Sequence, residues 1–302
     1  MHSSFAGTWP ALLTPATPGG EVNVCVLREL VEHLLNKQVD GLYVCGSTGE
    51  GLFLSVPERK QVLETVLDQV GGRVPVLVHV GSVATRDAVE LACHAQACGA
   101  SGVSAVLPLL NPSLETVYLH YTTIAAAAPD LPFLPYLFGG QTSALLLMQG
   151  LLEQIPNVGG AKYTGPNMFE LKQLLQLESS TTARAGWTIF SGMDEQCLFA
   201  IMSGARGHIG STLNLMPGAY RTMRALYNQG QVDQALQIQQ HANQVTATLI
   251  GFGFAGALRE AMRLLGFELG QPRRPTLPLA ADRRDALRGA LEDVGWSELV
   301  AL

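Results

Sequence analysis

Two spacings of apolar residues alternate along the chain. Short β-rich runs, "TWPALLTP", "GLYVCG", "VPVLVHVG", "GVSAVLP", "FLPYLF", "VGGAKYTG", "TIFSG" and "RGHIGS", recur from Thr8 to Ser211. Between them apolar residues fall three and four apart, as in "LRELVEHLLN", "ERKQVLETVLDQV", "RDAVELACHAQACG" and "MFELKQLLQLE". The first spacing predicts strands and the second amphipathic helices. Start and stop signals agree: Ser55 with Pro57 and Glu58 opens one helix, Thr85 is expected to cap another, and Gly99 closes the latter. Eight strands separated by helices predict an α/β fold, a (β/α)8 TIM barrel. A doubly wound sheet would place a phosphate-binding glycine turn after the first strand, and "LLTPATPGG" supplies none.

Past about Tyr220 only the helical spacing remains. It runs through "YRTMRALYNQG", "DQALQIQQHANQVTATL", "GALREAMRLLG" and "DRRDALRGALEDVG", with "GQPRRPTLPL" as a linker before the last. The expected division is a barrel over residues 1–228 and a C-terminal helical appendage over 229–302.

Composition narrows the setting. The chain has 302 residues, 47% hydrophobic and 15% charged, a balance that folds rather than stays disordered. A net charge of −6 favours neither nucleic acid nor an anionic membrane surface. The N-terminal stretch lacks the basic and apolar regions of a signal peptide, and no apolar run is long enough to span a bilayer. Five cysteines without paired spacing point to a reducing compartment, so the expected location is cytoplasmic. Neither they nor the seven histidines show a zinc pattern, and no metal is expected. His79 and His208 fall inside strand runs and are read as barrel wall. Gly251, Gly253 and Gly256 fit G-x-G-x-x-G, but they follow a helical pattern and are set aside.

In a TIM barrel the chemistry stands at the C-terminal ends of the strands. There the sequence puts Gly46-Ser47-Thr48-Gly49-Glu50, Tyr136, Lys162 with Thr164, Gly192 with Asp194 and Glu195, and Gly210 with Ser211 and Thr212. Lys162 is one of only four lysines, and it alone follows small and apolar residues. Desolvation disfavours an ammonium, and a neutral amine beside a ketone forms a Schiff base whose protonated imine is an electron sink. The alternative is a strand-end lysine reaching to solvent. The Ser47–Thr48 loop suits a carboxylate, or is simply a capped turn. Tyr136 is a proton shuttle or a core phenol. Asp194 and Glu195 are a helix-start pair, of which one is free to bind hydroxyls.

Together "GSTGE", the strand-five tyrosine, "GAKYT" and "GHIGSTLN" resemble the class I pyruvate-dependent aldolase family, that of N-acetylneuraminate lyase and dihydrodipicolinate synthase. "GLFLSVPERKQVLE" and "PRRPTLPL" extend the resemblance over nearly the whole chain. The resemblance implies a Schiff base between Lys162 and a small-molecule 2-oxo acid, proton transfer by Tyr136, a carboxylate held by Ser47 and Thr48, no cofactor, and a homotetramer. "FSGMDEQ" is most similar to the sialic acid lyase branch, which implies sugar contacts at Thr164, Gly192, Asp194, Glu195 and Ser211. The implied reaction is retro-aldol cleavage of N-acetylneuraminate to N-acetylmannosamine and pyruvate. Two departures stand out: Gly139-Gly140-Gln141 follows Tyr136 where the family has proline and the synthase branch an arginine, and Leu109-Leu110 occupies the synthase branch's tyrosine loop. They argue against dihydrodipicolinate synthase. A 2-keto-3-deoxy sugar acid aldolase or dehydratase, or a non-catalytic 2-oxo acid sensor, remain as alternatives.

Overall fold

The computed structural model describes residues 5–108, 110, 113–138, 143–180 and 187–302; Leu109 and the Gly139-Gly140-Gln141 stretch lie outside them. Eight parallel strands form: β1 (Gly7–Pro10), β2 (Leu42–Val44), β3 (Val76–His79), β4 (Gly102–Val106), β5 (Phe133–Phe138), β6 (Gly160–Thr164), β7 (Thr188–Ser191) and β8 (Gly207–Gly210). From β2 to β8 each pairs with the next in sequence, β8 pairs with β1, and past the end of β1 the Leu12 N–H donating to the Tyr43 carbonyl at 2.9 Å links it to β2. The sheet is thus a TIM barrel.

Its core has two parts. Phe5, Trp9, Tyr43, Leu77, Leu134, Phe190 and Ile209 fill the interior of the barrel. Trp9 meets Phe5 and Phe190 edge-on, at 5.5 and 5.3 Å between ring centres. A larger layer of Leu, Val, Ile and Ala lies between the strands and the helices outside them.

Helices α1 (Val24–Asn36) to α8 (Pro217–Asn228) follow the strands in order. For the argument below, α2 is Val56–Val70, α3 Thr85–Ala97, α4 Leu114–Ala126 and α7 Cys197–Ser203. Helix α2 opens on the Ser55–Glu58 capping box and closes at Gly71 in the left-handed region. The expected Thr85 cap is not made. Thr85 is the first residue of α3 and its Oγ1 is 2.9 Å from His120 Nδ1 on α4, so the hydroxyl joins two helices instead of closing one. Gly99 follows the end of α3 at φ +78°, as a helix stop requires.

After α8 come α9 (Val232–Gly251), α10 (Phe254–Leu264), α11 (Arg284–Asp293) and α12 (Trp296–Ala301). The last was not expected: six residues are too few to show a helical period, and α12 is held by burial of Trp296 and Leu299. The three glycines set aside in sequence lie at the α9–α10 junction. Gly253 supplies a positive φ of 90°, and a Cβ on Gly256 would sit 2.6 Å from the Leu279 nitrogen, so Gly256 serves chain packing.

Candidate active site

Parallel pairing sets Tyr136 of β5 directly beside Lys162 of β6. Paired residues point to the same face, so phenol and amine enter the barrel mouth together. Lys162 is 5% exposed, and its Nζ lies 4.1 Å from the Tyr136 ring centre and 4.7 Å from that of Tyr43. Among the described residues, no acid or hydrogen-bond acceptor engages this amine. The other lysines are spent outside: Lys37 on the Val300 carbonyl, Lys60 on Glu90 and Lys172 on the Ser203 carbonyl.

Tyr136 is locked by neighbours. Its ring stands edge-on to Tyr43 and His79 at 6.4 and 6.3 Å, and lies 4.5 Å from Phe138. Tyr43 donates to Ser104 Oγ at 3.1 Å, and its burial pushes the phenol well above the usual range, so it stays neutral. His79 accepts the Val106 N–H at Nε2, 3.0 Å away, and is also neutral: burial, then Arg59 and Lys162, depress its pKa far below the ordinary value. Tyr43 was missed in sequence because an aromatic within "GLYVCG" is indistinguishable from any core strand residue.

The Ser47–Thr48 loop leaves β2 through Cys45 at φ +57° and ends at Glu50 at φ +56°. Two non-glycine residues in the left-handed region cost about 1–3 kcal/mol each and need external support. The appendage gives it: buried Arg259 of α10 donates to Glu50 Oε2 at 2.7 Å, and the Arg273 N–H donates to both Glu50 oxygens. Thr48 Oγ1 and Ser211 Oγ are 2.6 Å apart, joining the loops after β2 and β8. Ser47, exposed, and Thr48 face a cavity of about 230 Å³ whose other walls include Leu13, Ser211, Phe254 and Leu258.

Thr164, Gly192 and Lys162 meet on the other side of the mouth. A Cβ on Gly192 would fall 2.0 Å from Thr164 Oγ1 and 3.0 Å from Lys162 Cε, so only glycine leaves the space beside the amine open. Among the described residues Thr164 Oγ1 is buried with no hydrogen-bond partner, which leaves an acceptor and donor for a ligand.

Asp194 and Glu195 part company. Both lie in a 3-10 turn before α7, yet Asp194 caps no helix. It is buried. Its Oδ1 lies 2.8 Å from His208 Nε2, and its Oδ2 accepts the N–H and hydroxyl of Thr212, each at 2.8 Å. The Thr212 hydroxyl in turn is 2.7 Å from Tyr220 Oη. Burial opposes the charge of Asp194, but His208 and Thr212 outweigh it and hold the carboxyl below its usual range. Burial likewise opposes the charge of His208, and the neighbouring Cys197 sulfur and Asp194 push its pKa up to about 9. Both shifts favour a protonated His208 beside an ionised Asp194. Glycine at 210 makes the pairing possible, because a Cβ there would sit 1.7 Å from Asp194 Oδ1. Glu195 is half-buried, and its carbonyl accepts from Asn243 of α9.

A (β/α)8 barrel with one buried lysine laid against two tyrosines at the strand ends defines a lysine-dependent aldolase, a lyase. The chain matches the family model "Dihydrodipicolinate synthetase family" over residues 4–294, and it belongs to that family. It is 32% identical over 296 residues to the N-acetylneuraminate lyase of Rhizobium meliloti (strain 1021), covering 97% of this chain and 96% of the relative. To that of Gallus gallus it is 31% identical over 307 residues, covering 98% of each. Among solved structures it superposes on Proteus mirabilis N-acetylneuraminate lyase with a TM-score of 0.90 at 28% identity, covering 97% of this chain and 100% of that one. A catalytic lysine mutant of Ruminococcus gnavus sialic acid aldolase gives 0.90 at 27% identity, covering 97% of both chains.

Proposed function

We propose that this protein cleaves N-acetylneuraminate to N-acetylmannosamine and pyruvate, as a cytoplasmic homotetramer whose barrel spans residues 1–228 and whose helical appendage spans 229–302. The observation that carries the reading is the Lys162 amine, buried and stacked on Tyr43 and Tyr136, with Tyr136 beside it in register.

In this reading Lys162 Nζ attacks the C2 ketone, water leaves, and a protonated imine forms. Ser47 and Thr48 hold the adjoining carboxylate, Thr48 steadied by Ser211. Tyr136 removes the proton of the C4 hydroxyl. The C3–C4 bond breaks, its electrons pass to the iminium, and the aldehyde departs. The enamine left on Lys162 is protonated at C3 and hydrolysed to pyruvate. Because the iminium is the electron sink, the sequence of steps needs no metal or organic cofactor. Thr164 and Glu195 bind hydroxyls beyond the broken bond, Gly192 leaves them room, and Asp194, its oxygens taken by His208 and Thr212, shapes that wall.

A pyruvate-release assay over purified 2-oxo acids tests the substrate. N-acetylneuraminate is expected to be cleaved with the highest kcat/KM. Faster turnover of a 2-keto-3-deoxy sugar acid, with N-acetylneuraminate inert, would overturn the assignment and leave the Schiff-base chemistry standing.

A further inference from the structure

Helices α2 and α3 carry a group of donors that the aldolase chemistry does not use. His94 and Cys98 are four residues apart on α3 and at its C-terminal end, so they share one face, and Glu64 of α2 points at them. Cys98 Sγ lies 3.4 Å from His94 Nε2, and Glu64 Oε1 lies 3.2 Å from the same nitrogen; all three donor atoms fall within 4.8 Å of one another. We propose that Glu64, His94 and Cys98 form a binding site for a zinc-class divalent cation on the outside of the barrel.

The two separations from His94 Nε2, 3.4 Å to sulfur and 3.2 Å to the carboxylate, are close to those such an ion imposes. Zinc bonds of about 2.3 Å to sulfur and roughly 2.0–2.2 Å to nitrogen and oxygen, at tetrahedral angles, put ligand pairs about 3.3–3.6 Å apart. As a hydrogen-bond array the group places Nε2–H on the carboxylate and leaves the sulfur beside the ring, whereas one cation serves all three. Sγ is also 3.8 Å from Nδ1, so it lies alongside the ring. A turn of the imidazole about its Cβ–Cγ bond, a torsion with broad minima, aims the Nε2 lone pair between Sγ and the carboxylate. A thiolate, an imidazole and one carboxylate favour zinc, cobalt or cadmium over magnesium or calcium, which take oxygen donors. Lys60, the nearby cation on α2, is occupied by Glu90 at 2.7 Å. Three protein ligands leave the fourth position to water.

The site joins two neighbouring helices at the barrel end opposite Lys162, so the ion would staple α2 to α3 without entering the chemistry. Sequence shows no zinc pattern here because the third ligand comes from another helix.

Cobalt titration of the full-length, reduced, chelator-stripped protein tests the proposal. One cobalt per chain is expected, with a thiolate-to-cobalt charge-transfer band and intense tetrahedral visible bands, both removed by equimolar zinc. Cys98→Ser should abolish the charge-transfer band, His94→Ala should weaken binding at least about tenfold, and Cys93→Ser and Cys25→Ser should change neither. Only weak octahedral bands in the parent, or a charge-transfer band that survives Cys98→Ser, would overturn it.

Discussion

Lys162 differs from the other lysines in what surrounds its amine: two aromatic faces instead of a carbonyl or a carboxylate. Sequence alone pointed to it through its apolar neighbours, and pointed to Tyr136 through strand position. It did not show Tyr43, His208 or the commitment of Asp194, because a side chain's partner across the barrel leaves no local signal. Removing the Tyr136 hydroxyl tests its role in proton transfer: Tyr136→Phe should lower kcat about 10²- to 10⁴-fold for every cleavable substrate while Lys162 still binds pyruvate. Unchanged kcat would reduce Tyr136 to packing. Glu195→Ala should raise the cost of the full sugar acid only, by roughly tenfold to a hundredfold in kcat/KM, with pyruvate adduct formation intact. Equal losses for both would place Glu195 outside the sugar subsite.

His208 titrates at about 9 in the fold against an ordinary 6.5. The folded state therefore holds an extra proton between those values. The stability this contributes is complete below about pH 6.5 and is lost as pH rises through about 9. Asp194, with its pKa lowered, contributes in the opposite direction: its share is present at neutral pH and is lost as pH falls through its folded value. His208→Asn should lower the melting temperature overall and flatten its fall between about pH 6.5 and 9. A variant whose melting temperature falls as steeply as the parent's over that range would contradict the assigned charge.

At the scale of elements, the appendage holds the loops at the strand ends from behind. Gln239 of α9 accepts the Leu198 N–H at 2.7 Å and donates to the Asp194 carbonyl at 3.0 Å, and Asn243 donates to the Glu195 carbonyl. Arg259 of α10 pairs with Glu50 inside the protein, each 5% exposed. Arg259→Ala strands a buried carboxylate beneath the Ser47–Thr48 loop. It should cost about 3–5 kcal/mol in denaturant unfolding; a loss under about 1 kcal/mol would show that the loop does not depend on the clamp. The alternation of strand and helix was legible because the barrel helices are mostly long enough to show their period and the strands stand out as short β-rich apolar runs between them. The Thr85 cap and α12 were not, since His120 on another helix claims the Thr85 hydroxyl and α12 owes its existence to burial rather than to its own pattern. That Glu50 of the loop after β2 answers to an arginine 209 residues away was likewise invisible in sequence.

For the whole molecule, exposed apolar side chains extend over the helices on one run of the chain: Leu114 and Leu119 of α4, Leu146 and Phe169 further on, and Phe199 and Met202 of α7. A chain with 15% charged residues has little polar surface to cover them, which supports the proposed tetramer. Light scattering at micromolar concentration should give four times the 32.2 kDa chain mass, and a monomeric mass would contradict it. No helix among the described residues is long and apolar enough to cross a membrane. Chelation should leave turnover unchanged, since the iminium does the work of an electron sink; loss of activity that added metal restores in Cys98→Ser as in the parent would place the protein in the other aldolase class.

The central claim is that the amine of Lys162 becomes covalently bound to the 2-oxo acid. Borohydride reduction in the presence of pyruvate, followed by peptide mass spectrometry, tests it directly. The peptide holding Lys162 should gain the mass of one reduced pyruvate adduct, and Lys162→Ala should lose both the adduct and the activity. An adduct on Lys37, Lys60 or Lys172 with Lys162 unmodified, or a Lys162→Ala variant that still turns over, would contradict the account.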